Sequence, residues 1–149
     1  MKEFYSIICV GKIKPASPLG LLWTDYEKRF TRPVLVHEIE EKTTDKEHKA
    51  ILNKLSPNLP TIILDETGYS LTSKKFSNEL EKLQNHGTLP IQFIIGGADG
   101  LNHILKEKAN LLISFGKQTW PHKMVRIMLL EQLYRAQQII AGHPYHRES

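Results

Sequence analysis

Apolar residues in this chain form short uninterrupted runs that alternate with longer segments of helical periodicity. Four runs are almost wholly apolar, namely Phe4–Val10, Thr61–Asp65, Ile91–Ile95 and Leu111–Phe115. Uninterrupted apolar runs are typical of parallel strands that are covered on both faces. The segment Val34–Glu40 mixes apolar with polar residues and predicts a further, more exposed strand. We therefore predict an α/β fold with a mainly parallel sheet and helices on both faces.

Five other segments place apolar side chains three or four positions apart, as helices do. In the first, Leu22, Tyr26 and Phe30 share one helical face. The last segment is apolar nearly all round, so we expect it to be buried on more than one side and to include Leu133 in a homodimer interface. Gly87 is predicted to cap the third helix and Gly142 to end the last. The predicted helices cover residues 21–30, 45–55, 73–87, 101–109 and 123–140.

The composition is that of one ordinary globular domain, covering residues 1–149. Apolar residues make up 40% and charged residues 24% of the 149, which excludes a disordered chain. Cys9, the only cysteine, lies in the first apolar run and is predicted to be a buried strand thiol. No run has the length of a membrane helix, and no secretory signal is visible, so we expect a cytoplasmic protein without a membrane partner.

Positive charge is concentrated in the C-terminal quarter. Residues 116–149 hold five Lys and Arg against two Glu, with three histidines besides, while the whole chain carries +4. Such a segment suits a polyanionic partner, although a solvated surface explains it equally well when it is taken alone.

Three loops follow the predicted buried strands, at the edge where open parallel sheets bind ligands. They read LDETG after Thr61–Asp65, IGGADG after Ile91–Ile95 and FGKQTWPH after Leu111–Phe115. The glycine loop has neither the spacing of the dinucleotide fingerprint nor the Gly-Lys-Ser/Thr of a P-loop, which disfavours a nucleotide-dependent reaction of another kind. It predicts either close approach of backbone to a ligand or a tight turn.

The tail from His143 to Ser149, HPYHRES, carries groups that stack, donate hydrogen bonds and titrate near neutral pH. The His-x-x-His spacing of His143 and His146 lacks further metal ligands, so no metal site is predicted. No serine nucleophile elbow is present, which disfavours acyl transfer. The tail is therefore either an ordered end docked on its own domain or part of a site.

Five motifs together resemble one family, the bacterial large-subunit ribosomal RNA pseudouridine N3-methyltransferases of the SPOUT superfamily. The resemblance covers the whole chain. In place of the Gly-Lys pair that usually follows the third strand in this family, the chain has Gly68 and Tyr69, so a role of that lysine is either absent here or passes to Lys74 or Lys75. The motifs are VGK at residues 10–12, GGADG at 96–100, TWPH at 119–122, LEQLYRA at 130–136 and HPYHRE at 143–148.

The resemblance implies a SPOUT-type C-terminal trefoil knot, a homodimer, and S-adenosylmethionine (SAM) as methyl donor. It also implies that the substrate is a pseudouridine of large-subunit ribosomal RNA within assembled ribosomes. Carried over by position, the cofactor-binding residues are Leu64, Gly96, Phe115, Gly116, Lys117, Gln118, Thr119 and Trp120.

By the same resemblance, Tyr145, His146 and Arg147 stand at the target base as catalytic residues. By residue type, Tyr145 could stack on the base, His146 could accept the imide proton, and Arg147 could stabilise the anion or bind phosphate. We expect Pro144 to project these residues from a fixed point beyond the last helix. The alternative from another class is a non-catalytic RNA-binding factor associated with the ribosome.

Overall fold

The computed structural model describes residues 3–85 and 89–146, which form five strands and five helices. Strands and helices alternate along the chain, as the apolar pattern predicts. Gly87 and Arg147 lie outside the described residues. The elements are β1 (Tyr5–Val10), α1 (Pro18–Glu27), β2 (Val34–Ile39), α2 (Thr44–Lys54), β3 (Thr61–Ser70), α3 (Ser73–Leu83), β4 (Ile91–Ile95), α4 (His103–Lys106), β5 (Leu111–Ser114) and α5 (His122–Ala141).

The five strands form one sheet in the order β2-β1-β4-β3-β5, and every neighbouring pair is parallel. The helices cover both faces of the sheet. Successive side chains of a strand point to opposite faces, so each strand packs against helices on both sides. Tyr5, Ile7 and Cys9 pack on one face with α1, α3 and α5, while Ile8 and Val10 pack on the other with α2 and α4. The predicted α/β class is confirmed, whereas the trefoil knot stays a prediction.

Strand β3 is longer than the pattern predicts, running to Ser70 rather than ending at Asp65. Leu64 and Tyr69 both pair with Ile113, so the register shifts along the strand. At Gly68 the two backbones come so close that a Cβ atom would lie 2.6 Å from main-chain atoms of Ile113. The apolar pattern missed this extension because residues 66–70 are mostly polar. Their pairing with β5 depends on the close approach at Gly68 rather than on apolar side chains.

Helix α5 is buried mainly within its own chain. Leu129, Leu130 and Leu133 are fully buried in the core formed with α1, α3 and the sheet. The expectation that Leu133 lies at a dimer interface is therefore wrong, because its side chain already packs inside the monomer. Gly142 ends the helix in the left-handed conformation, as predicted, with φ of 74°. None of the described helices is long and apolar enough to cross a bilayer.

Candidate functional site

A cavity of about 720 Å³ lies at the carboxyl edge of the sheet, where β3, β4 and β5 end. This volume falls in the ordinary range of small-molecule sites. Most of the residues that line it come from the three predicted loops and from the first turn of α5, and Lys106 of α4 joins them. Seven of the eight residues assigned to the cofactor by resemblance are among them, namely Leu64, Gly96, Phe115, Gly116, Gln118, Thr119 and Trp120.

Lys117 is the eighth, and its side chain is exposed and not part of the cavity lining. It lies between Gly116 and Gln118, which both line the cavity. The assignment of all eight residues to cofactor binding remains a prediction.

The glycine loop after β4 is held in place by the start of α2. The carbonyl oxygen of Gly100 lies 2.9 Å from His48 Nε2, and Thr44 Oγ1 donates a 2.8 Å hydrogen bond to Asp99 Oδ2. Within the loop, the Gly100 amide donates to the Gly97 carbonyl over 3.1 Å. Gly100 has a φ of 72°, which favours glycine, so the loop has a fixed shape before any ligand binds.

Gly96 serves the packing of this loop. A Cβ atom there would lie 2.9 Å from Leu101 Cγ, which is a side chain of the same loop. A substitution such as Gly96→Val would first displace Leu101. It would therefore test loop packing together with ligand contact, and other positions give a cleaner test of the cavity.

The loop after β5 is ordered by its own hydrogen bonds. Ser114 Oγ donates to the Gly116 carbonyl over 2.6 Å and accepts from the Gly116 amide over 3.1 Å. Trp120 Nε1 donates to the Phe115 carbonyl over 3.3 Å, which leaves the indole, 39% exposed, as part of the cavity lining. Thr119 donates a 2.8 Å hydrogen bond to Glu66 and so ties this loop to β3.

Three carboxylates line the cavity, those of Asp65, Glu66 and Asp99. Burial acts to raise the pKa of Asp65, but hydrogen bonds from Thr67 and the ammonium of Lys106, 3.3 Å away, outweigh it and lower this pKa. Asp65 is therefore ionised at neutral pH. The cavity combines negative charge with apolar and aromatic surface, which fits a cationic ligand that also carries a planar ring.

The first turns of α5 bring basic groups onto the end of β1, an arrangement that the sequence did not predict. Arg126 is 2% exposed and donates to the carbonyls of Val10 and Gly11 over 3.3 and 2.8 Å. Its guanidinium also lies 2.6 Å from Glu38 Oε2. Gly11, with a φ of 90°, leaves room for Lys123, whose Cε would lie 3.0 Å from a Cβ atom there.

His122, the first residue of α5, lines the cavity beside this basic group. Burial, followed by the charges of Lys123 and Arg126, lowers the pKa of His122 below its ordinary value of 6.5. The imidazole is thus neutral at neutral pH. The TWPH motif contained this residue, but only the contact between β1 and α5 reveals its surroundings.

The tail folds back against α5 instead of projecting from it. Tyr145 OH donates a 2.8 Å hydrogen bond to Glu131 Oε2, and its ring packs edge-on against Tyr134. Arg135 donates to Glu131 over 2.9 Å, and its Nη1 lies 3.2 Å from His146 Nδ1. The docked alternative therefore holds for Tyr145 and His146, and a role in catalysis remains a prediction for both.

Glu131, which holds the tail, also lines a second groove of about 560 Å³. This groove runs between α1, the end of β3 and α5, and it shares the four residues 113–116 with the first cavity. The tail is thus held by a carboxylate that lines the same groove as the loop of the first cavity. Among the described residues, no cluster of three or more His, Cys, Asp or Glu is arranged to hold a metal ion.

Comparison with known proteins identifies the class of enzyme to which this fold and the cavity at its carboxyl edge belong. The family model described as "Predicted SPOUT methyltransferase" matches residues 4–146. The chain belongs to the SPOUT methyltransferase family, which confirms the resemblance found in its motifs.

Curated relatives narrow the comparison to one kind of SPOUT protein. The chain is 40% identical over 148 residues to the "Ribosomal RNA large subunit methyltransferase H" of Rhodospirillum centenum, covering 95% of this chain and 97% of that protein. It is 43% identical to the protein of the same name from Erythrobacter litoralis, covering 95% and 96%. The corresponding Bradyrhizobium diazoefficiens protein is 42% identical, with 95% and 98% covered.

A solved structure shares the fold. The SpoU methyltransferase AviRb from Streptomyces viridochromogenes superposes with a TM-score of 0.53 at 12% identity. The match covers 94% of this chain and 61% of that longer one. At this identity the likeness supports the architecture only.

Proposed function

We propose that this protein is a SAM-dependent methyltransferase that modifies N3 of a pseudouridine in the 23S RNA of assembled ribosomes. The observation that carries the proposal is the cavity at the carboxyl edge, where seven residues assigned on sequence grounds lie together. The names of the relatives, at about 40% identity over nearly their full length, support the same reaction class and an RNA substrate.

The chemistry of the cavity fits SAM. Glu66 and Asp99 suit the cationic sulfonium and ammonium groups, since the charge of Asp65 is already paired with Lys106, and Leu64 and Trp120 offer surface to the adenine ring. When bound, SAM supplies an electrophilic methyl group. The fixed loops contribute orientation, since alignment within the cavity lowers the barrier to bimolecular transfer.

The residues proposed to act on the RNA are those of the tail. The N3 imide must lose its proton as the new N–C bond forms and the bond between the methyl carbon and the sulfonium sulfur breaks. His146 is the proposed acceptor, which requires its ring to leave the contact of Nδ1 with Arg135, because a guanidinium only donates. Tyr145 would stack on the unpaired base, and Arg147 would stabilise the anion or bind phosphate. Glu131 and Arg135 supply the contacts that fix Tyr145 and His146.

We further propose a cytoplasmic homodimer. The second groove is lined by apolar groups, including Leu22, Ile127 and Met128, and Leu22 is 42% exposed. An apolar groove open to solvent suits contact with a protein partner. A second copy packed against the side of the groove that carries Leu22 and Met128 would lie close to the loop of the SAM cavity, because the groove reaches Phe115 and Gly116.

Two measurements test the function. Titration calorimetry should detect SAM binding but not ATP binding, because ATP shares the adenosine and lacks the cationic groups. Mass mapping of 23S RNA from a strain without the gene should show one methyl group missing from a pseudouridine, and the purified protein should restore it to ribosomes from that strain. Ribosome binding without SAM binding or methyl transfer would instead favour the non-catalytic RNA-binding factor.

A further inference from the structure

Tyr69 presents a large aromatic ring to solvent from a rigid backbone. Its side chain is 70% exposed, the highest value among the exposed large hydrophobic residues of the described chain. The backbone beneath it is fixed, because Tyr69 pairs with Ile113 in the sheet and Gly68 packs directly on β5. An ordered, exposed aromatic ring offers contact area at little cost in conformational entropy.

Three exposed lysines come from the elements around this ring. Lys74 and Lys75 lie in the first turn of α3, and Lys117 lies in the loop after β5. The backbones of these segments meet at the second groove, because Ser70, Ser73 and Gly116, the chain neighbours of Tyr69, Lys74 and Lys117, all line it. In residues 3–85 and 89–146, none of the three lysines takes part in an ion pair.

We propose that Tyr69, Lys74, Lys75 and Lys117 form a surface that binds unpaired RNA of the substrate, next to the SAM cavity. Tyr69 stacks on a base outside the reaction centre, and the lysines neutralise backbone phosphates. This Tyr69 surface rests on the proposed function, and it adds a contact region to the cavity and the tail. Lys117 connects the two, since its neighbours Gly116 and Gln118 line the cavity.

The chemistry of the surface favours RNA over a protein partner. An aromatic ring combined with several uncompensated cations is the usual means of holding single-stranded nucleic acid. Lysines are depleted at protein–protein interfaces, where their charge would have to be desolvated. Glu66, a nearby acid on the same strand, already accepts a hydrogen bond from Thr119.

The test measures binding of the full-length protein to ribosomes from the strain without the gene, by cosedimentation over a range of salt concentrations. Tyr69→Ala should weaken binding about tenfold, whereas Tyr69→Phe should stay within about twofold of wild type, because stacking needs only the ring. The triple variant Lys74→Gln, Lys75→Gln and Lys117→Gln should lower the salt slope by about one for each phosphate that is no longer neutralised. The control is Lys108→Gln, which changes an exposed lysine at the amino ends of β3 and β5, beside Thr61 and Asn110.

Equal binding by Tyr69→Ala and Lys108→Gln would overturn the proposal, as would a salt slope that the triple variant leaves unchanged. Light scattering on Tyr69→Ala provides a further check. If that variant turns a wild-type dimer into a monomer, the surface belongs to a second copy and the RNA assignment is wrong. Cofactor titration is measured in parallel. If the wild-type protein binds no SAM but Tyr69→Ala still weakens ribosome binding, the methyltransferase proposal is refuted and the RNA surface stands.

Discussion

The phenol of Tyr145 donates a hydrogen bond to Glu131, 14 positions earlier in the chain. This contact fixes the tail to the middle of α5 and next to the second groove. Tyr145→Phe keeps the ring against Tyr134 and removes only the hydrogen bond to the carboxylate. We expect the free energy of unfolding to fall by about 1 kcal/mol, as is usual for a hydrogen bond that is partly open to water.

The same variant should lower methyl transfer to ribosomes by more than its folded fraction explains, while SAM affinity stays at the wild-type value. Denaturant unfolding, single-turnover methylation and calorimetry give the three readouts. His143→Ala, which changes an exposed tail residue, is the matched control. Full methylation by Tyr145→Phe, or by a chain that lacks residues 143–149, would leave the tail as a docked end without a role in the reaction.

Gly68→Ala should destabilise the protein strongly. The new Cβ atom would lie 2.6 Å from main-chain atoms of Ile113, and a backbone can give way only if the pairing of β3 with β5 shifts. We expect a loss of about 2–3 kcal/mol, at the upper end of the cost of overpacking. Thermal unfolding measures it, with the exposed Ser70→Ala as the control, and equal melting temperatures would show that the strands are not in this contact.

Trp120 and Lys117 belong to the same loop but should differ in their effect on the cofactor. Trp120→Ala removes the bulkiest side chain of the cavity lining and should weaken SAM binding about tenfold. Lys117→Gln should leave that affinity within about twofold, because its side chain lies outside the cavity lining. Calorimetry on both variants decides the point, and the reverse order would place the cofactor elsewhere.

His122 should titrate below its ordinary pKa of 6.5, since burial and the charges of Lys123 and Arg126 disfavour the imidazolium. The folded protein therefore binds fewer protons here than the unfolded chain. The stability that follows is complete above pH 6.5 and is lost as the pH falls through the folded pKa. NMR of the imidazole should show the low midpoint, and Lys123→Gln should move it upward, whereas no movement would exclude Lys123 as a cause.

Substitutions at Leu22 and Leu133 distinguish a loss of dimerisation from a loss of folding. Leu22→Asp changes a groove residue that is 42% exposed, and it should give a folded monomer if the groove is the interface. Leu133→Asp places a charge at a fully buried position and should unfold the chain. Light scattering and circular dichroism distinguish these results, and a folded dimer of Leu22→Asp would exclude the groove.

The apolar pattern predicted the five strands, their parallel arrangement and the edge that carries the cavity. These features depend on burial along a single segment, which a sequence displays directly. The extension of β3 was missed because it depends on Gly68 meeting β5, a contact that no periodicity encodes. Helix α4 is also shorter than predicted, because only residues His103–Lys106 of the predicted segment are helical.

The residues of the site show the same difference between features that a sequence pattern encodes and features that depend on tertiary contacts. The resemblance brought seven residues to one cavity, whereas periodicity alone offered three loops without saying how they meet. The contacts of Arg126 with β1 and of Glu131 with Tyr145 join residues 115 and 14 positions apart. Each of these side chains has many possible partners in a sequence, and only the packing of α5 selects one.

The contact between Arg126 and Gly11 also bears on the order in which the protein can be made and folded. The carbonyl groups of Val10 and Gly11, at the carboxyl end of β1, receive their hydrogen bonds from Arg126 only once α5 has been synthesised. Parallel sheets close through distant pairings and fold slowly, with incomplete cores exposed meanwhile. A chain released before α5 has been synthesised would lack a large part of one core and one side of the cavity. Premature termination should therefore yield a fragment that is degraded or aggregates, with no partly active enzyme among the products.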